Sequence, residues 1–123
     1  SGSLVLRDEA GPVPVGELQR VIAERRSATQ VRGSGTVIRV LSDDNDGSRH
    51  QRFILRIASG ESLLIAHNID LAPRVAGLNV GDAVSFYGEY EWNDRGGLIH
   101  WTHHDPRGAH EDGWVEHNGR RYQ

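Results

Sequence analysis

Four of the chain's seven histidines (His100, His103, His104 and His110) lie in the stretch Ile99–His110, and His117 follows shortly after. Imidazole both ligates transition metals and moves protons near neutral pH, so this C-terminal segment is where chemistry is expected. One reading places a zinc-like divalent transition metal among His100, His103, His104, Asp105 and His110. Such a centre would make the chain a metal-dependent hydrolase of phosphodiesterase or nuclease type, with Arg107 stabilising developing charge. A second reading is structural: Asp105 caps a turn and the imidazoles orient one another in a hydrogen-bonded network. The spacing matches no standard zinc signature such as H-E-x-x-H. On a regular strand His100 and His104 would share a face but stand roughly 13 Å apart, at about 3.3 Å per residue. A single metal therefore requires the chain to leave the strand near Thr102. It must then fold back through Asp105-Pro106-Arg107-Gly108, carrying His103 or His104 toward His110 or His117. Asp70 and Glu89 are carboxylates that could meet a histidine in space, which spacing alone does not show.

A second group of candidates lies on a strand pair. Gln51 to Ala58 alternates cleanly, with Phe53, Leu55 and Ile57 on one side and Arg52, Ile54 and Arg56 on the other. Ser59-Gly60 turns the chain, and Ser62 to His67 returns. A two-residue turn pairs Ala58 with Glu61 and sets Arg52 opposite His67. His50, Arg52, Ile54, Arg56, Leu63, Ile65 and His67 then share an outer face, and Leu64 and Ala66 join the core. Apolar in the middle with Arg and His at its margins, that face suits an anionic or polymeric ligand, nucleic acid or oligosaccharide. His50, Arg52, Arg56, His67 and Arg107 are its candidate ligand-binding residues. No aromatic lies on it, and the alternative is a partly solvated sheet face covered by Arg stems. Trp92, Trp101 and Trp114 are expected in the core rather than as stacking platforms.

These residues must be positioned by a small, mainly β domain. Residues 1–13 read as a flexible lead-in and 14–123 as one domain. Val15, Leu18, Val21 and Ile22 recur at helical spacing from about Val15 to Arg26, starting near Pro14. Gln30 to Leu41, bearing Gly33 and Gly35, reads as a strand able to bend. The acidic run Asp43 to Gly47 is a turn; aligned as a calcium loop it puts Phe53 where a bidentate Glu is required. Asp70 to Gly77 suits a short helix or coil. Ala83 to Trp92 and Leu98 to Thr102 complete five strands. Asn118-Gly119 marks a terminal hairpin in which Val115 faces Tyr122. Five strands with a bent first strand and a break between the third and fourth predict an OB-like Greek-key barrel, an N-terminal helix and a C-terminal β-hairpin. A β-sandwich is the alternative.

Composition narrows the partners. The net charge of −3 with neutral histidines argues against bulk electrostatic capture of nucleic acid, and histidine protonation below about pH 6 would reverse its sign. Every basic side chain is arginine, which reflects either coding bias or bidentate recognition of phosphate or carboxylate. Cysteine is absent, which removes disulfide and thiolate chemistry. No apolar run reaches the roughly 20 residues of a membrane-spanning helix. Methionine is absent and the chain opens Ser1-Gly2-Ser3, like a cleavage scar, so an upstream secretory leader and export are expected.

The segments Asp43 to Phe53, His67 to Arg74, Gly88-Glu89-Tyr90-Glu91-Trp92 and His100 to Gly108 together resemble the bacterial domain-of-unknown-function family 3465, from about Thr29 to Gln123. The resemblance implies an OB-like barrel and, in many members, an export or lipoprotein signal. It implies no activity. Ala109 departs from the basic or polar residue that the resemblance leads one to expect there.

Overall fold

The computed structural model describes residues 5–8, 11–14 and 16–123. Within the segment read as a lead-in, β1 (Val5–Asp8) and β2 (Gly11–Pro14) pair antiparallel as a two-stranded ribbon of their own. Helix α1 (Gly16–Ala23) buries Leu18, Val21 and Ile22, the apolar positions of the helical repeat; Val15 lies outside the described residues.

The long strand β3 (Thr29–Val40) serves two partners. Its first part pairs with β6 (Ala83–Glu91) and its last part with β4 (His50–Ile57), both across Gly35-Thr36, with a bulge between Val37 and Arg39. Absent side chains make the bend: a Cβ on Gly33 would meet Leu18 and Phe86 at 2.7 Å, and one on Gly35 would meet the Arg56 carbonyl at 2.5 Å. Strand β4 pairs with β5 (Ser62–Asn68), β5 runs parallel to β7 (Leu98–His100), and β7 returns to β6. The ring β3-β4-β5-β7-β6-β3 is therefore a closed five-stranded OB-like barrel, as the strand pattern predicts.

Strands β8 (Trp114–His117) and β9 (Arg120–Tyr122) extend the sheet beyond β6, with Val115 opposite Tyr122 as expected. Their turn, Asn118-Gly119, takes φ of 52° and 77°, the left-handed pair that this dipeptide accommodates. Val37, Phe53, Leu55, Leu63, Ile65, Phe86, Tyr90 and Ile99 fill the interior with no exposure at all.

The β4–β5 register differs from the expected one by one residue. Gln51 faces His67 and Arg52 faces Ala66, because the loop holds three residues, not two. Ile57 N–H donates to Glu61 O, Gly60 N–H donates to Ile57 O, and Gly60 takes φ of 92°. A three-residue loop with a left-handed third residue is a preferred hairpin closure. A one-residue slip moves every side chain of the returning strand to the other face. Leu63, Ile65 and His67 are thus core residues, and Leu64 and Ala66 face outward.

Candidate functional site

Two constellations of polar side chains stand on the outer wall of the barrel. The first is built by β6 and β7. Tyr90 is buried, so its neighbours Glu89 and Glu91 point outward together, and the pairing sets Glu89 beside His100. His100 Nε2 lies 3.1 Å from Glu89 Oε2 and 3.7 Å from Glu91 Oε1. The chain leaves β7 immediately after His100, at Trp101, whose φ of 54° is strained for a bulky L-residue. Asp105 then organises the return. Its carboxylate accepts the backbone N–H groups of Arg107, Ala109 and His110, at 2.9, 2.9 and 2.7 Å. The loop lays the His110 ring on Trp101, with centroids 3.9 Å apart and planes within 10°.

His110 Nε2 reaches the other oxygen of the same carboxylate, Glu89 Oε1, at 2.9 Å, while its Nδ1 lies 2.8 Å from the Glu111 carbonyl. Both partners only accept, so the protonated ring fits best. Burial works against that charge, but the hydrogen bonds to Glu89 and Glu111 hold His110 above its ordinary pKa. Glu89 is correspondingly held below the usual carboxylate range: burial raises it, and the His110 and His100 contacts more than compensate.

Of the residues expected to share a metal, only His100 and His110 converge, and a carboxylate is what joins them. His103 is turned inward, with 4% exposure and Nδ1 2.7 Å from the His104 carbonyl, and burial holds its pKa down. His104 faces solvent, and Asp105 spends its carboxylate on the backbone as the structural reading foresaw. Arg107 is exposed at the loop tip. Asp70 binds Arg49 rather than a histidine. The acidic turn is closed by the Asp44–His50 bridge and by an ion pair of Asp43 with Arg74. Sequence reasoning could not rank Glu89 above Asp70, because the β6–β7 pairing that selects it joins segments separated by a turn.

His67 is not on the ligand face. It is fully buried, with Nε2 2.8 Å from the Pro73 carbonyl and Nδ1 2.7 Å from Thr102 Oγ1. Because a carbonyl can only accept, Nε2 carries the proton and the Thr102 hydroxyl donates to Nδ1. Desolvation lowers its pKa to about 4.

The second constellation flanks the outer face of β4 and β5. Arg52 and Arg56 do stand there, with Arg52 Nε donating to Ser42 O and Arg56 Nη1 donating to Gly60 O. His50 sits at its margin, Nδ1 2.9 Å from Ser48 O. A cleft of about 420 Å³ carries Arg39, Arg52 and Arg95 around Leu41, Ile54 and Leu64. Arg39 and Arg95 were not singled out from sequence. The OB arrangement, in which the loops after the first and fourth strands flank this face, is the signal that could have found Arg95. A neighbouring hollow of about 570 Å³ shares Ser62, Asn93 and Arg95 and is walled by Tyr90 and Trp92. Trp92 is 43% exposed, with the Arg25 guanidinium 4.8 Å from its ring centroid. None of the three tryptophans is fully buried, contrary to the core expectation: Trp92 and Trp101 lie just beyond the ends of β6 and β7, and Trp114 opens β8, outside the barrel ring. Tyr90 Oη is buried without a hydrogen-bond partner among the described residues. A wider groove beside β3, β6 and β8 contains Arg56 and Glu116 as opposite charges and the buried His117, whose Nε2 bonds Asp82 at 2.8 Å.

A family model described as "protein of unknown function (DUF3465)" matches residues 12–123. No curated protein matches the chain.

Proposed function

The chain belongs to the DUF3465 family, a family defined without an activity, and we propose from the geometry that it is a binding module for a single-stranded, phosphate-bearing polymer. The observation that carries this reading is the ring of Arg39, Arg52 and Arg95 around an apolar floor on the outer β4–β5 face. Among the described residues neither Arg39 nor Arg95 has a carboxylate partner. Guanidinium forks match phosphate oxygens bidentately. A neutral oligosaccharide would desolvate three cations with no anion in return.

The Trp92 hollow gives the ligand a direction. Glu61 and Asp94 line it and repel phosphate, so the backbone runs over the arginines and the bases turn toward Trp92. The exposed Trp92 indole is there to stack on a base. The net charge of −3 keeps attraction local to this face.

The test is fluorescence anisotropy with a short fluorescein-labelled oligothymidylate. Competition is measured with the unlabelled oligonucleotide, a polyuronate and a neutral glucan. Unlabelled oligonucleotide alone should displace the probe, and Trp92→Ala should weaken binding about tenfold, the worth of one stacked base. Equal displacement by polyuronate would replace phosphate with carboxylate as the recognised group, and displacement by glucan or absence of binding would sink the reading.

A further inference from the structure

We infer that Glu89, Glu91 and His100 form a binding site for one divalent first-row transition metal ion, of zinc or manganese type, with His110 as the group that orients Glu89. The three side chains each present a ligand atom, and all of these lie within 4.8 Å of one another. A tetrahedral ion with ligands at about 2.1 Å needs donor atoms about 3.4 Å apart. The observed separations from His100 Nε2, 3.1 Å to Glu89 Oε2 and 3.7 Å to Glu91 Oε1, straddle that value. Small side-chain adjustments therefore suffice, with no movement of β6 or β7.

Charge points the same way. Glu89 and Glu91 are partly withdrawn from water, at 18% and 34% side-chain exposure, and stand side by side on one strand. Among the described residues their only ion-pair partners are imidazoles, and no arginine reaches either. Two neighbouring carboxylates with one nitrogen donor form a mixed oxygen–nitrogen set, which suits zinc or manganese better than calcium or magnesium.

His110 supplies the arrangement that metal-ligating groups characteristically have. His110 holds the oxygen of Glu89 that does not face His100, at 2.9 Å, so the remaining oxygen is aimed at the site. Its ring is in turn clamped on Trp101, and its backbone N–H is held by Asp105. Three protein ligands leave at least one coordination position open to water or another ligand. This inference is independent of the β4–β5 cleft, none of whose arginines takes part.

Protein prepared without immobilised metal and dialysed against chelator would be titrated with Zn²⁺, Mn²⁺ and Ca²⁺ by calorimetry, and its Co²⁺ form examined for visible d–d absorption. One Zn²⁺ or Mn²⁺ per chain should bind, at least tenfold more tightly than Ca²⁺. His100→Ala should abolish the stoichiometric site, and His110→Gln should weaken it by 10- to 100-fold, the usual effect of removing an orienting partner. His104→Ala, at a solvent-facing position, should leave it intact. Circular dichroism of each apo variant checks folding, and Glu91→Gln, the most exposed ligand, replaces His100→Ala if that variant unfolds. Absence of stoichiometric binding, retention of the site in the ligand variants, or its loss in His104→Ala would each overturn the assignment.

Discussion

Replacing His67 by Gln should remove a specific part of the protein's acid sensitivity. In the folded chain His67 is neutral, held between the Pro73 carbonyl and the Thr102 hydroxyl, with a pKa lowered from 6.5 to about 4. The unfolded chain takes up that proton below about pH 6.5, while the folded chain resists it until about pH 4. Between those values the unfolded state binds more protons, so stability rises with pH. His67 therefore favours the fold fully above about pH 6.5, and this contribution disappears as pH falls toward 4. At about 1.4 kcal/mol per pH unit the whole window is worth about 3 kcal/mol. Glutamine at this position can donate to Pro73 and accept from Thr102, so the variant should fold. Urea unfolding at intervals from pH 7 to pH 4 measures the difference. The wild-type profile should lose about 3 kcal/mol more than the variant, with carboxylate titration common to both. Parallel profiles, or a His67 imidazole resonance that titrates near 6.5, would refute the buried neutral ring.

Other expectations concern the cleft, the barrel and the loop. Oligothymidylate affinity should fall with salt at a logarithmic slope of about −2, from three contacts at about 0.7 each, and Arg95→Ala should reduce it to about −1.4; an unchanged slope removes Arg95 from the interface. Gly88→Ala would place a Cβ 2.5 Å from the His100 carbonyl, forcing β6 from β7 at the cost of about 1–3 kcal/mol, visible as a lowered Tm. A Tm equal to wild type would show that this approach is not tight. Asp105→Ala releases the N–H groups of Arg107, Ala109 and His110, so hydrogen exchange should accelerate there while β4 and β5 stay protected. Uniform protection in both proteins would mean that the loop is held by something else.

The two constellations differ in how they depend on the fold. The arginine cleft draws on a bulge in β3, the outer face of β4 and the β6–β7 loop, so it exists only once the barrel has closed. The Glu89 cluster needs a single strand pairing and one capped loop. Trp101, strained in φ, is the junction that lets the chain quit β7 while its ring supports His110.

What the amino-acid order determined by itself was local. The alternation of Phe53, Leu55 and Ile57 specified a strand with one buried face. Gly33 and Gly35 marked where β3 must bend, and Asn118-Gly119 marked the final hairpin. The gathering of histidines located a polar centre near the end of β7, and Asp105 was foreseen as its cap. Tertiary structure decided the rest. One residue in the loop after Ile57 turned His67 from a ligand-facing cation into a neutral core group. Closure of β6 on β7 chose Glu89, not Asp70 or His104, as the partner of His100 and His110. The reason is geometric. Periodicity says which side chains share a face, but which faces meet depends on register and closure. Those are settled by packing energy summed over the whole barrel, and no short stretch of sequence contains that sum.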